Sequence, residues 1–302
     1  MSKLRVGIAQ IGARLGDLEA NLSAHREVAV QARGEGVDLL VFPELGLTGY
    51  LLQDLNAQIS LRADDPRLLA LAGEIAADGS AIVGFVEESD DHRLFIAAAL
   101  LEGSRVSHVV RKAYLPSYGL FDERRFFGAG DVVAAVDSQL GLRLGISICE
   151  DFWHLGVPLL QALDGAQVLV NIASSPGRDV TLSDEGGLGT ARSWQALLRT
   201  YAMLTGCYVV YVNRVGVEES ITFWGGSEVL DPAGQTVLRA PLHAEGLFVA
   251  EIDPAAIRRE RMATPLMRDE RPELVARQLE RLLRQRAGSA DVPDGSPPDD
   301  RP

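Results

Sequence analysis

LRLGISICEDFW, residues 142–153, is a run of β-forming residues that stops at a cysteine, with two acids and two bulky aromatics directly after it. Alternation along the run puts Leu142, Leu144, Ile146 and Ile148 on one face and Arg143, Gly145, Ser147 and Cys149 on the other. Cys149 therefore stands opposite the aliphatic face, at the carboxyl end of a strand, where open α/β sheets place their ligand sites. A nucleophile on a sharp strand-to-helix turn is accessible, with backbone N–H groups near enough to hold an oxyanion. A free cysteine is more often a buried structural residue, and the segment alone leaves both readings open.

The start of the chain echoes this stretch. LRVGIAQ (4–10) is followed by a helical pattern and then GEGVDLLVFPE (34–44); LRLGISIC (142–149) is followed by a helical pattern and then DGAQVLVNIASSP (164–176). Two such β-α-β units predict two similar halves, each a sheet with helices on its outer face, although two apolar strands also resemble each other by chance. Further strands are expected near 80–87, 93–101, 105–112, 132–136, 166–173, 207–215 and 246–253, with a hairpin over 228–240 whose turn is set by Pro232. Helical periodicity runs from an Asp17 cap into the thirties, then over 66–77, 190–205 and 271–286. Strands and helices joined by short links argue for layered α/β or α+β architecture.

With 302 residues, 47% hydrophobic and 24% charged, the chain can bury a core without disulfide or metal staples. Its two cysteines, Cys149 and Cys207, are too few for a secreted disulfide scaffold and suit a reducing cytosol. A net charge of −13 and a pI near 4.9 disfavour nucleic acid as a partner. No apolar run reaches the ~18 residues of a membrane span, and MSKLRVGIAQ lacks the regions of a signal peptide. A cytoplasmic location without membrane association is expected.

A thiol of ordinary pKa needs a base or a cation beside it to react near neutrality. None of the five histidines stands in a zinc or nucleophile motif, and His154, nearest to Cys149, falls on the chain leaving the turn. Two other strand ends are better placed. VDLLVFPELGLTGY puts Glu44 just past a buried strand, and SHVVRKAYLPSYGLFDERRFF puts Lys112 at the end of another. Each alone is equally a surface acid or a lysine snorkelling at a strand end. Together with Cys149 they make a set capable of covalent amide chemistry. Cys207, Trp194 and Trp224 read as packing residues, with Trp224 near enough to a loop to line a pocket.

In that order, FPELGLTGY, RKAYLPSYGLFDERRFF and ISICEDFW resemble the carbon–nitrogen hydrolase family, the nitrilase superfamily, over about residues 4–265. The sub-motifs GYLLQDL (49–55), KAYLPSYGLFDERRFF (112–127) and CEDFW (149–153) are most similar to the glutaminase domains of glutamine-dependent NAD synthetases. The resemblance implies a four-layer α-β-β-α sandwich of two mixed sheets over 1–265; beyond it, the charged helical pattern reads as a C-terminal helix at 266–287 and the polar composition of 288–302 as a disordered tail. It implies a catalytic triad of Glu44, Lys112 and Cys149 with Glu123 as a second acid, and no metal or organic cofactor. Tyr118 matches a tyrosine lining the amide pocket. Tyr50, Trp153 and Glu150, and more weakly Ser174, Ser175 and Arg178, are candidates for contacting the substrate. Homodimers or larger homo-oligomers are expected. The sequence has no SGG-x-DS phosphate loop of the kind those synthetases carry, so the expected function is hydrolysis of a small primary amide, glutamine-like compounds among the candidates, through a cysteine thioester, with release of ammonia. Nitrile hydrolysis by the same triad, ammonia supply to a separate synthetase, a Cys149–His154 hydrolase and a non-catalytic scaffold are the alternatives.

Overall fold

The two halves expected from the repeated strand are two six-stranded mixed sheets. The computed structural model describes residues 2–76, 79–177, 180–181 and 187–290. One sheet runs in the order Gly246–Ile252, Leu4–Gln10, Leu39–Val41, Ser80–Glu88, Leu94–Glu102, Arg105–Arg111. The other runs Val136–Asp137, Arg143–Ile148, Val168–Ala173, Tyr208–Asn213, Glu228–Leu230, Thr236–Arg239. Read in these orders, neighbouring strands in both sheets pair antiparallel, parallel, parallel, antiparallel, antiparallel. LRVGIAQ and LRLGISI hold the same place in this succession, so their likeness reflects a structural repeat.

Alternation sorts the strand residues into layers. Val6, Ile8, Ile82, Ile96 and Ala98 from the first sheet share one core cluster with Leu144, Ile146, Ile148, Val170 and Val210 from the second. The other face of the first sheet, with Ala9, Phe42, Ala81, Val83 and Ala97, packs on Leu22 and Ala29 of the helix Leu18–Gly34 and Leu68 and Leu71 of Pro66–Ile75. The second sheet carries the helices Gly156–Leu163 and Gly189–Thr205 on its outer side, where Gly145 lies against Gln161. These are the four layers of an α-β-β-α sandwich. Asp17 caps the first helix by accepting from Ala20 N–H at 3.1 Å.

Some boundaries differ from the sequence expectation. The strand expected at 132–136 is reduced to Val136–Asp137, and the one expected at 207–215 ends at Asn213, beyond which Val215–Glu218 and Ile221–Trp224 form a separate ribbon. The C-terminal segment is a short helix, Leu266–Asp269, and a longer one, Pro272–Ala290. Residues 291–302 of the expected tail lie outside the described residues. Among the described residues no helix is long and apolar enough to cross a membrane.

Candidate active site

Glu44 follows the strand Leu39–Val41, Lys112 follows Arg105–Arg111, and Cys149 follows Arg143–Ile148. The first two strands belong to one sheet and the third to the other, and the face-to-face packing brings their ends together. Lys112 Nζ lies 2.8 Å from Glu44 Oε1 and 2.8 Å from Glu123 Oε1. All three side chains are buried, with Glu44 0%, Lys112 1% and Glu123 4% exposed. An ammonium has three N–H bonds; two go to these carboxylates, and the third has no partner among the described residues. The lysine head is thus enclosed rather than snorkelling.

Each member is held by the main chain or by a second side chain. Glu44 Oε2 accepts from Ser174 N–H at 2.7 Å, and the Ser174 hydroxyl donates to the Glu44 carbonyl at 2.8 Å. Gly84, on the adjacent strand, is required there: a Cβ would meet the Pro43 carbonyl oxygen at 2.5 Å and Leu45 N at 2.6 Å. The Tyr50 hydroxyl donates to Glu123 Oε1 at 2.6 Å. Tyr50 is itself fixed because Glu218 Oε1 accepts from the N–H groups of Tyr50 and Leu51 at 2.9 and 2.6 Å, and Arg214 balances Glu218 at 2.9 Å.

Cys149 has φ +46°, in the left-handed region that a non-glycine residue enters at a cost of about 1–2 kcal/mol. The chain leaves the strand there and winds into a 3-10 turn, Cys149–Trp153. The first N–H groups of such a turn, Glu150's among them, have no partner inside it. The cysteine is 7% exposed and lines a cavity of about 190 Å³ with Tyr118, Glu150, Trp153, Ser175 and Trp194. Drug-sized ligand pockets span roughly 300–1,000 Å³, so this one suits a small substrate.

Charge and burial set the protonation states. Burial would pull Lys112 down, but the carboxylates of Glu123 and Glu44, with Cys149, push it well above its ordinary value. Burial, helped by Glu44 and opposed by Lys112, pushes the Cys149 thiol well up, so the resting sulfur is protonated and needs a base as it reacts. Burial, opposed by Lys112 and raised further by Glu44, pushes Glu123 up to about 7. The Tyr50 hydrogen bond holds Glu123 down. Tyr50→Phe is therefore expected to raise it further. The acid limb of kcat/KM, an apparent property of the whole carboxylate–lysine cluster, should move to higher pH. A pH–rate profile identical to that of the wild type would deny the hydroxyl this role.

The structure gathers Glu44, Lys112, Glu123 and Tyr50 into one buried cluster, and Cys149, Tyr118, Glu150, Trp153 and Ser175 around one cavity. Tyr118 donates to both Glu150 oxygens, at 3.1 and 3.0 Å. Two of the substrate-contact candidates do other work: Ser174 spends both its polar groups on Glu44, and Tyr50 borders a neighbouring cavity with Glu123 and Phe126. Arg178 lies outside the described residues. His154 stacks on Tyr114 with ring centroids 3.5 Å apart, and its nearest carboxylate is Glu150 at 3.7 Å. The sequence reading did not single out Asp151, Asn213 and Glu218. Asp151 accepts from three main-chain N–H groups around the site, and Asn213 Oδ1 accepts from Ser175 N–H at 2.8 Å.

The family model described as carbon-nitrogen hydrolase matches residues 5–262. The glutamine-dependent NAD(+) synthetase of Thermotoga maritima is 34% identical over 261 residues, which are 84% of this chain and 42% of that protein. The chain spans less than half the length of the curated relatives it matches. Among solved structures, a carbon-nitrogen hydrolase from Helicobacter pylori G27 superposes with a TM-score of 0.80 at 23% identity, covering 92% of this chain and 99% of that one. A variant of the amidase from Nesterenkonia sp. AN1, whose active-site cysteine carries the acetamide moiety of fluoroacetamide, superposes with a TM-score of 0.74 at 25% identity, covering 91% and 96%.

Proposed function

The chain belongs to the carbon–nitrogen hydrolase family, and we propose that it hydrolyses a small primary amide through a Cys149 thioester, releasing ammonia. The observation that carries this reading is the Lys112 ammonium, 2.8 Å from each of two carboxylates, buried beside a protonated cysteine that lines a small cavity. Glu44 takes the Sγ proton as sulfur bonds to the amide carbon, and the C=O π pair moves onto oxygen. The third Lys112 N–H and the Glu150 backbone N–H hold that oxyanion. Collapse of the adduct breaks the C–N bond while Glu44 gives its proton to nitrogen, and ammonia leaves. Water then loses a proton to Glu44 and attacks the thioester, and the sulfur departs and is reprotonated. Glu123 fixes Lys112 throughout.

The cavity also supports a substrate class. Glu150 presents a carboxylate beside Cys149, held by the Tyr118 hydroxyl. It complements an ammonium on the far end of the substrate, as in glutamine. A hydrogen bond to a charged group contributes about 1.5–3 kcal/mol. Glu150→Gln is thus expected to raise KM roughly 10–100-fold for glutamine, and less than about 3-fold for an uncharged aliphatic amide. Equal effects on both would remove the ammonium from the proposal. The direct test of the function is ammonia release from glutamine, asparagine, keto-acid ω-amides, aliphatic amides, N-carbamoyl compounds and a small nitrile assayed together. Turnover of the nitrile with none of the amides would favour nitrilase chemistry.

A further inference from the structure

Asp151 sits two residues after the cysteine and is 2% exposed. Its Oδ1 accepts from the N–H groups of Ala113 and Tyr114 at 3.0 and 2.9 Å, and its Oδ2 accepts from Ile148 N–H at 3.0 Å. Ala113 directly follows Lys112, and Ile148 directly precedes Cys149. One carboxylate therefore clasps the main chain beside both groups, across the boundary between the two sheets. We propose that Asp151 is a positioning residue that fixes the Lys112 ammonium at the oxyanion position of the Cys149 adduct. The inference rests on the thioester reading, in which that ammonium holds the oxyanion.

The chemistry of the clasp requires a carboxylate. Two ionised oxygens offer about four lone-pair sites and no donor, which suits three converging N–H groups. An asparagine has one acceptor oxygen, and its NH₂ would point at an N–H on one side or the other. Burial pushes Asp151 up to about 6, against the Ile148, Tyr114 and Ala113 N–H groups and Lys112, which favour the charged form. The clasp also closes the elbow at which Cys149 takes its φ of +46°. The Tyr114 ring, stacked on His154, pins the lysine side of the loop by a separate contact. The loss of Asp151 should therefore displace the ammonium without unravelling the loop.

Two reagents separate positioning of the oxyanion site from the state of the thiol. Propionaldehyde takes the Cys149 sulfur at its carbonyl carbon, the Sγ proton passes to Glu44, and the π pair moves to an oxygen placed where the amide oxyanion would be. Methyl methanethiolsulfonate is attacked at its sulfenyl sulfur: the Sγ proton passes to Glu44, the S–S bond breaks with release of methanesulfinate, and the methyl disulfide left on Cys149 carries no tetrahedral oxyanion. In Asp151→Asn, propionaldehyde Kd is expected to weaken about 10–100-fold, while the thiolsulfonate rate stays within about 3-fold and ammonia release loses kcat at near-constant KM. A folded variant whose aldehyde Kd is unchanged, or whose two thiol reactions fall together, would overturn the proposal. Should Asp151→Asn not fold, Asp151→Glu, which keeps the charge and lengthens the reach, takes the same measurements. Failure of both to fold would assign Asp151 to folding alone and sink the idea. The aldehyde assay needs no amide turnover, so a wild type inert to amides would count against the amidase reading and leave this test standing. A wild type that forms no aldehyde adduct would overturn the clasp itself.

Discussion

Cys149→Ala is expected to abolish ammonia release, with a loss of about 10⁴–10⁶-fold, and to leave the fold intact. The size of the loss follows from the absence, among the described residues, of a second thiol beside the cavity. Cys207 is 0% exposed, and its sulfur lies against the Ala166 carbonyl and Arg261. The Ser175 hydroxyl beside the cavity accepts from Trp194 Nε1 at 2.9 Å and has no base of its own among the described residues. The retained fold follows from charge. Burial keeps the resting thiol neutral, so its removal does not unbalance the buried lysine and its two carboxylates. Alanine meets the same φ of +46° that cysteine already tolerates. The variant should unfold within about 1 kcal/mol of the wild type in urea, as expected of a change that opens little cavity. It should still bind amide. A folded Cys149→Ala protein that hydrolyses amide at the wild-type rate would end the thioester mechanism.

The sandwich and the triad are legible in the chain for a common reason: each depends on a strand and on what stops it. Glu44, Lys112 and Cys149 each end an apolar run, and period-two alternation places Leu144 and Ile146 in the inter-sheet core without further information. The supporting residues are not legible because their partners are remote. Glu218 accepts from Tyr50 across 168 residues of sequence, and Asp151 reaches Ala113 across 38. An acid on a turn gives no sign of the N–H groups it will meet. The strand expected to run to 215 stops where Arg214, 1% exposed, turns to pair with Glu218. An arginine within an apolar run marks a break only once its buried partner is known. The family resemblance points Ser174 toward the substrate; the structure uses it to join corresponding strand ends of the two repeats, its N–H and hydroxyl both bonded to Glu44.

Burial of the lysine changes what its removal should do. As an oxyanion donor, Lys112 is expected to be worth about 10²–10³ in rate, and Lys112→Met should lose at least that much ammonia release. A snorkelling lysine would be replaced at little cost to stability. Here Nζ lies between Glu44 and Glu123, both buried, and methionine would leave two carboxylates facing each other without their cation. Removing one partner of a buried charge pair costs about 3–5 kcal/mol, so the variant should also be measurably less stable at neutral pH. The sign of its pH dependence follows from Glu123. This group is pushed up to about 7 from an ordinary value of 4.5 while Lys112 opposes the rise, and without Lys112 it rises further. A carboxyl whose folded pKa exceeds its unfolded one binds more protons when folded. Its contribution to stability therefore falls as pH rises from the unfolded value through the folded one. The deficit of Lys112→Met should be smallest near pH 5, where the carboxyl is protonated and needs no cation, and should widen toward pH 8. Urea unfolding of both proteins at the two pH values measures it. A deficit that is the same at both, or that shrinks as pH rises, would mean that the ammonium does not neutralise these carboxylates.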